Sequence, residues 1–277
     1  MVKVSNGRLI YQKHMENKYP VYIISKGRFE KTLTADRFDS YGIKYLIAVE
    51  PQEYELYVKK LGLDKVLKLP FSNLGLGSYP ARNYCWEHAK ANGYKYHWLF
   101  DDNITEIRKW INQKREIIYQ YCEALIYVEN YTEKNNIDIN GFEEYNFCVK
   151  PPKIPFKTNC HVYSAMLIKN NLPYRWRLKY NEDVDLCLQV LHNGGSTSSC
   201  VYYMANKIST SEKMKGGNQT ELYQGNVPKK NLLKAKMLEA VWPQYTKTVI
   251  RFGRHHHLID WKVFQKRLKE KENGNNT

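Results

Sequence analysis

The stretch that decides the fold spans residues 77–103 and has the sequence GSYPARNYCWEHAKANGYKYHWLFDDN. Pro80 suits the first turn of a helix, and small or apolar residues then recur every three or four positions, as on one helix face. Asn92-Gly93 ends that helix. The run YHWLF at residues 96–100 is too short and too aromatic for another helix, so it predicts a strand buried on both faces.

Two adjacent carboxylates, Asp101 and Asp102, follow this strand without a linker. Ligands of α/β sheets bind outside the carboxyl ends of the strands. The sequence therefore predicts metal or phosphate chemistry at this edge of the sheet.

The residues before this stretch alternate between predicted strands and predicted helices. We expect strands at residues 21–24, 44–49 and 65–68 and helices at residues 31–41 and 52–61. This order is typical of a mainly parallel sheet with right-handed crossovers. The first strand ends in the polar turn Ser25-Lys26-Gly27-Arg28, where backbone N–H groups can meet a nucleotide, although the turn alone is a weak signal.

The second half of the chain gives weaker secondary-structure signals. We expect a helix at residues 117–133, extended structure at 137–149 broken by Asn140-Gly141, a strand at 160–168 and a helix at 229–241. No internal repeat is apparent.

A second acidic cluster, Asn181-Glu182-Asp183-Val184-Asp185, opens an amphipathic helix that ends at Asn193-Gly194-Gly195. Acidic residues in a first turn complement the helix dipole, so capping is one explanation for them. One acid suffices for capping, whereas three favour a functional site.

The segment STSEKMKGGNQ, residues 209–219, has the composition of a mobile lid. It combines small residues, a Gly216-Gly217 hinge and two cations, Lys213 and Lys215. Such a loop can close over a phosphorylated substrate and exclude water. An ordinary surface connection is the alternative.

The net charge of +15 is large for 277 residues. Residues 201–277 contain 15 Lys and Arg against 6 Asp and Glu, so this quarter of the chain carries more than half of the excess. The surplus predicts a polyanionic partner, for which DNA is our expectation, while a solubilising surface is the alternative.

Six scattered cysteines without CxxC spacing favour buried free thiols over disulfides or zinc. No run of about 18 apolar residues exists, and the first twenty residues lack the apolar core of a signal peptide. We therefore expect no membrane contact and a cytoplasmic location. The sequence leaves the oligomeric state open.

The block at residues 77–103 resembles the nucleotide-sugar half of GT-A fold glycosyltransferases. In that family a Gly precedes an Ala-Arg-Asn helix start, and the following strand ends in an Asp-rich triplet. Here these are Gly77, Ala81-Arg82-Asn83 and Asp101-Asp102-Asn103. The later Asn181-Glu182-Asp183 resembles the acidic motif that supplies the base in inverting members.

More narrowly, the chain resembles the phage glycosyltransferases associated with TET/JBP dioxygenases, which glycosylate hydroxymethylpyrimidines in DNA. The resemblance spans residues 19–264 and rests on VYIISKGR, WLFDDN, YNEDVDL, KGGN and FGRHHHLIDW. It implies an α/β fold of GT-A (Rossmann-like) type, a mostly parallel sheet flanked by helices with a basic C-terminal helical extension. We expect a catalytic domain at residues 1–205, with residues 206–277 forming the loop and a basic region packed on it.

The resemblance also implies roles for individual residues. Asp183 is expected to be the catalytic base, with Glu182 as the second choice. The residues expected to bind a UDP-sugar donor are Ser25, Gly27, Arg28, Arg82, Asn83, Asp101, Lys213, Lys215, Gly216 and Arg254. A structural salt bridge is the alternative for Arg82, and a core hydrogen bond is the alternative for the histidines near Arg254.

A divalent metal, Mg²⁺ or Mn²⁺, is expected at Asp102, Asn103 and His256, where it would bridge the donor diphosphate. Many GT-A enzymes have Asp at the third triplet position, and Asn103 is a neutral, weaker oxygen donor. Metal dependence is therefore the first point to test.

The implied reaction is transfer of a sugar to a hydroxymethylated base in DNA with inversion, retention being the other stereochemical outcome. A polysaccharide or protein acceptor, a metal-dependent nuclease and a non-catalytic DNA-binding module are the alternatives. Neither the sugar nor the acceptor base can be chosen from the sequence.

Overall fold

The computed structural model describes residues 3–5, 8–10, 16–208, 216–217 and 227–267. Its strands are β1 (Lys3–Ser5), β2 (Arg8–Ile10), β3 (Val21–Ile24), β4 (Leu46–Val49), β5 (Val66–Lys68), β6 (Tyr96–Asp101), β7 (Ile104–Ile111), β8 (Lys114–Ile117), β9 (Ile139–Glu144), β10 (Phe156–Thr158), β11 (Ala165–Lys169), β12 (Ser198–Lys207), β13 (Thr246–Arg251) and β14 (Arg254–Ile259). Its α-helices are α1 (Leu33–Ser40), α2 (Tyr54–Leu61), α3 (Tyr79–Ala91), α4 (Tyr121–Lys134), α5 (Glu182–His192) and α6 (Val227–Val241).

The central sheet has the strand order β5-β4-β3-β6-β11-β9-β12-β7-β8, with β10 paired to β12. The first four strands run parallel, as the alternating pattern predicts. Beyond β6 the sheet is mixed, because β11 runs antiparallel to both of its neighbours. Helices cover both faces, so the α/β fold class is confirmed.

Strand β6 is buried on both faces, as predicted from its aromatic run. Trp98 and Phe100 pack on one side with residues of α1, α2 and α4, whereas Leu99 packs on the other side with residues of α3 and α5. The strand therefore lies at the centre of the three-layer core, and its end presents Asp101 and Asp102 at a rigid edge.

Helix α3 begins at Tyr79, as predicted, whereas the helix expected from residue 117 begins at Tyr121. The residues before it form the β7–β8 hairpin. In β7 the buried side chains are Ile104, Ile107 and Trp110, a spacing of three that imitates helical periodicity. Pairing with β12 on one side and β8 on the other makes this segment a strand despite its period.

The break expected at Asn140-Gly141 was wrong, since β9 continues through both residues. A Cβ on Gly141 would lie 2.1 Å from the carbonyl oxygen of Ala165 in the neighbouring strand. This glycine therefore permits a close approach of two strands instead of a turn.

The C-terminal part is only partly helical. Helix α6 was expected, but the strands β13 and β14 form an antiparallel hairpin after it. Leu238 and Phe264 from this part pack with Val184 and Leu188 of α5. The C-terminal region thus rests on the helix that carries the second acidic cluster.

All six cysteines are free thiols, as predicted. Within the described ranges, none of the helices combines the length and the apolar character that spanning a membrane requires.

Candidate active site

A cleft opens at the carboxyl ends of the parallel strands β3, β4 and β6. Its walls come from the turn after β3, the loop before α3, the end of β6 and the start of α5. The lining residues that carry polar or charged side chains are Ser25, Lys26, Arg28, Glu50, Ser78, Arg82, Asp101, Asp102, Asn103, Lys179 and Glu182. Both acidic motifs therefore meet in one cleft.

Arg82 joins the two motifs. Its Nη2 donates to Asp101 Oδ1 at 2.8 Å, and its Nε lies 3.4 Å from Glu182 Oε1. Ser78 Oγ accepts a hydrogen bond from the same Nε at 3.0 Å and donates to Glu182 Oε1 at 2.6 Å. Burial opposes the charge of Arg82, but Asp101 and Glu182 raise its pKa overall. A permanently charged guanidinium thus fixes carboxylates that are 81 positions apart.

Asp102 has both carboxylate oxygens engaged. Arg28 Nη1 donates to Oδ1, and Ser25 Oγ donates to Oδ2 at 2.6 Å. Arg28 Nη2 also donates to the carbonyl oxygen of Gly216 at 3.3 Å. The Ser25 and Arg28 side chains therefore line the cleft as expected, and they tie Asp102 to the glycine pair at residues 216–217.

The glycine pair sits directly against the turn after β3. The N–H of Gly217 donates to the carbonyl oxygen of Lys26 at 2.7 Å, and a Cβ on Gly216 would lie 2.2 Å from the carbonyl oxygen of Gly27. Both glycines have positive φ. Gly217 lines the cleft and Gly216 packs beside it, whereas Lys213 and Lys215 lie outside the described residues.

Two residues that were expected to bind the donor, Gly27 and Asn83, form hydrogen bonds with other residues of the protein. The N–H of Gly27 donates to Glu53 Oε2 at 2.7 Å. Asn83 makes a reciprocal pair with the backbone of Trp176, donating from Nδ2 at 2.8 Å and accepting at Oδ1 at 3.1 Å. In this structure Asn83 therefore fastens α3 to the loop before α5.

The end of β6 offers oxygen atoms that suit a hard divalent cation. Arg82 occupies Oδ1 of Asp101, and no protein group in the described part of the chain donates to Oδ2. Asn103 donates from Nδ2 to the carbonyl oxygen of Ile208 at 2.7 Å, while its buried Oδ1 has no partner among the described residues. One carboxylate and one amide oxygen fit Mg²⁺, which is commonly held by one or two protein oxygens together with substrate phosphates.

His256 is not part of this arrangement. It lies on the exposed side of β14, and the exposed Arg254 occupies the same strand. Neither residue lines the cleft. Within the described ranges, no three His, Cys, Asp or Glu side chains are grouped as a metal site would require.

Asp183 belongs to a different environment from that of its neighbour Glu182. Its Oδ2 lies 3.0 Å from Nε2 of His161, in the loop between β10 and β11. Burial alone would raise the pKa of the Asp183 carboxyl, but His161 and Arg82 hold the pKa below its ordinary range. Asp183 is therefore ionised at neutral pH, as a catalytic base requires.

Glu182 shows the opposite shift. Burial and the adjacent Asp183 raise its pKa, although Arg82 and Ser78 oppose the shift. The pKa values of the two neighbouring carboxyls are thus shifted in opposite directions, and Asp183 is the more fully ionised of the two.

The third acid of the cluster is structural. Asp185 is fully buried and accepts hydrogen bonds from Arg177, Gln189 and Trp242. The Arg177 side chain, which is 48% exposed, therefore forms an ion pair with a buried carboxylate.

Sequence reasoning missed His161 and Glu50 as site residues. Glu50 follows β4 at the carboxyl end of a parallel strand, a position that could have identified it, and it holds Lys26 Nζ at 3.0 Å in the cleft. No local pattern could have identified His161, because it meets Asp183 only through the packing of a loop against α5.

Comparison with known proteins gives a family and remote structural likenesses. A family model described as TET-Associated Glycosyltransferase matches residues 19–217. A solved structure from Desulfovibrio desulfuricans G20, assigned as a nucleotide-diphospho-sugar transferase, aligns with a TM-score of 0.39 and 10% identity, covering 82% of this chain and 98% of that chain. So remote a likeness carries no argument. No curated protein matches the sequence.

The family match begins just before β3 and ends at the glycine pair, so it contains the whole cleft and most of the chain. The chain belongs to the TET-associated glycosyltransferase family.

Proposed function

We propose that this glycosyltransferase moves a sugar from a UDP-sugar to the hydroxyl of a hydroxymethylated pyrimidine in DNA, with inversion at the anomeric carbon. The family gives the type of reaction, and its TET association suggests a hydroxymethylated base as the acceptor. The charge of +15 supports a nucleic-acid acceptor independently. A DNA acceptor places the reaction in the cytoplasm, of the host cell if a phage encodes the protein.

The observation that carries the proposal is the Arg82 bridge. Because Arg82 contacts both Asp101 and Glu182, the end of β6 and the start of α5 form opposite sides of one cleft. A donor bound at β6 would have its anomeric carbon close to α5. This supports a role for the α5 acids in activating the acceptor hydroxyl.

The donor nucleotide fits the wall between β3 and α3. Leu69 and Phe71 provide apolar surface for the uracil ring, and Lys26 and Lys179 provide positive charge for the diphosphate. Positive groups fixed near the leaving diphosphate stabilise the charge that develops as the glycosidic bond breaks. We include Lys213 and Lys215 of the adjoining loop in the same role.

We assign Asp101 and Asn103 as the protein ligands of a Mg²⁺ or Mn²⁺ ion. Such an ion, when bound, would supply Lewis-acid stabilisation of the diphosphate. Asp102 is then a positioning residue, since Arg28 and Ser25 hold both of its oxygens.

Asp183 accepts the proton of the acceptor hydroxyl. The acceptor oxygen forms a bond to the anomeric carbon while the bond from that carbon to the diphosphate oxygen breaks, and UDP leaves. The contact with His161 keeps Asp183 ionised before the reaction. The same contact with His161 fixes the orientation of the Asp183 carboxylate.

The test is a transfer assay with purified protein and several UDP-sugars in the presence of Mg²⁺ or Mn²⁺. Duplex DNA containing hydroxymethyluracil or hydroxymethylcytosine is compared with the same duplex carrying unmodified bases. Mass spectrometry of the digested nucleosides should show one added hexose or related sugar on the hydroxymethylated base alone.

Transfer to a polysaccharide or protein with none to DNA would contradict the proposed acceptor. The proposed donor would be contradicted if the protein neither hydrolyses nor transfers any UDP-sugar but turns over another nucleotide sugar normally.

A further inference from the structure

The β13–β14 hairpin projects from the protein surface next to the candidate base, Asp183. Trp261, just beyond β14, lies parallel to the His161 ring with centroids 6.2 Å apart and an interplanar angle of 5°. His161 in turn contacts Asp183. The root of the hairpin is therefore anchored at the acceptor side of the cleft, while its turn points away from the root into solvent.

The tip of this hairpin, residues 251–254, contains the most exposed apolar side chain among the described residues. Phe252 is 96% exposed, and the neighbouring Ile250 is 70% exposed. The fold gains no burial from a phenyl ring in this position. An exposed aromatic residue of this kind is typical of a contact surface.

Phe252 is also unfavourable for the backbone of the turn. Phe252 and Gly253 have φ of 50° and 70°, the positive pair of a two-residue type I′ turn. Asn or Gly is preferred at the first of these positions, and a bulky residue there is strained. A residue that harms both solvation and backbone geometry indicates a role outside folding.

The charges around Phe252 point to the partner. Arg251 and Arg254 are directly opposite each other across the hairpin, where like charges repel. Residues 246–259 contain Lys247, Arg251, Arg254 and three histidines but no Asp or Glu. An anionic partner would relieve this repulsion.

We infer that the hairpin tip is a wedge for duplex DNA, in which Phe252 enters between two base pairs and Arg251 and Arg254 contact phosphates on either side. Apolar side chains that enter base steps in this way unstack and kink the duplex. This inference rests on the proposed DNA acceptor and adds a way for a paired base to become accessible.

The dimensions allow the wedge and the active site to act on one duplex. His257, whose pKa is lowered by burial and raised in part by Asp183, follows Phe252 by five positions. At roughly 3.4 Å per residue, Phe252 lies no more than about 17 Å from that point. B-DNA rises by about 3.4 Å per base pair, so the separation corresponds to at most roughly five steps.

Phe252→Asn removes the proposed wedge side chain without destabilising the fold, because Asn suits the turn better than Phe. We expect unchanged or higher thermal stability, with binding of hydroxymethylated duplex weakened about tenfold or more. Binding and transfer with a single-stranded oligonucleotide of the same sequence should change less than about twofold, since no step has to be opened.

Leu63→Asn is the matched control, because Leu63 is 68% exposed and lies in a short turn between α2 and β5. It should leave duplex binding unchanged. The double variant Arg251→Gln, Arg254→Gln should lower the slope of log affinity against log salt by about two, one for each lost phosphate contact.

Equal duplex binding by Phe252→Asn and wild-type protein would overturn the wedge. So would loss of binding to vesicles of anionic phospholipid, or loss of a dimer in sedimentation, with duplex binding intact. If wild-type protein binds duplex through Phe252 but glycosylates no DNA, the wedge stands and the proposed function fails.

Discussion

The two sides of the cleft are built in different ways. The donor side comes from short strand-turn-helix units, the turn after β3 and the α3–β6 unit, whose residues are close in sequence. The acceptor side joins the His161 loop, the start of α5 and the segment after β14, which are far apart in sequence. The proposed nucleotide site is thus encoded largely by local sequence, with Lys179 and Gly217 added by tertiary packing, whereas the proposed acceptor site depends on tertiary packing throughout.

The two sides also differ in how their carboxylates are neutralised. Asp101 and Asp102 on the donor side pair with Arg82 and Arg28, whose guanidinium groups remain charged at all ordinary pH values. Asp183 on the acceptor side instead lies 3.0 Å from His161, which together with Arg82 lowers the pKa of the Asp183 carboxyl. The donor side should therefore respond to mutation chiefly through stability and affinity, and the acceptor side through catalysis and pH.

Replacing the proposed base should produce the largest effect. In Asp183→Asn, transfer should fall by about 10³-fold, within the range found for loss of a general base. UDP binding, measured by calorimetry, should stay within about twofold because Asp183 does not line the nucleotide cleft.

Glu182→Gln is the matched comparison, since Glu182 is the neighbouring acid and the second choice for the base. A larger loss of turnover in Glu182→Gln than in Asp183→Asn would exchange their roles. Wild-type turnover in Asp183→Asn would contradict both Asp183 as the base and the acceptor site that we propose around it.

Breaking the bridge between the two sides should cost the most stability. Arg82→Met leaves Asp101 and Glu182 without their shared cation, and we expect a loss of about 3 kcal/mol in the free energy of unfolding, the lower end for a broken buried pair. The lower end applies because the Asp101 side chain is 27% exposed. Urea unfolding measures the loss, and UDP affinity should fall with it.

Lys44→Met is the control, because Lys44 pairs with Glu16 and the two side chains are 83% and 66% exposed. Its loss should be about 1 kcal/mol or less. Equal losses in the two variants would mean that the Arg82 bridge has no special part in the fold.

The same contrast explains which parts of the molecule could be predicted from sequence. The parallel strands and Asp101 were predictable because turn residues, periodicity and strand order all agree for residues 21–103. The β7 strand was not, because its buried positions at Ile104, Ile107 and Trp110 follow a helical spacing. His161 was not predictable either, since only the folded chain brings it to Asp183.

Substituting Asn103 tests whether this donor-side residue is a metal ligand. Asp at this position adds a charged metal ligand but cannot donate to the Ile208 carbonyl, which now accepts a hydrogen bond at 2.7 Å. We expect Asn103→Asp to lose about 1–2 kcal/mol of stability while reaching half-maximal activity at lower Mn²⁺. Thermal unfolding and a Mn²⁺ titration of the transfer rate measure the two effects.

The matched control is Asn112→Asp, in the exposed turn between β7 and β8, which should change neither quantity. An unchanged Mn²⁺ requirement in Asn103→Asp would remove Asn103 from the proposed metal ligands.

The acceptor side should determine how the transfer rate depends on pH. His161 lowers the pKa of Asp183, so the wild-type base stays ionised and the rate holds as the pH falls. His161→Gln keeps a hydrogen-bond donor but removes the imidazole that lowers the pKa of Asp183, so the Asp183 pKa should rise. The acid limb of kcat/KM should then move to higher pH by the same amount, with the plateau at pH 8 changed much less.

His192→Gln is the matched control, because His192 Nδ1 bonds the hydroxyl of Tyr245 away from the cleft. Its profile should follow that of the wild type. An acid limb unmoved by His161→Gln would mean that Asp183 owes its ionisation to Arg82, the remaining cation near it. In that event the donor side would control the protonation of the base, and the two sides would be electrostatically a single site.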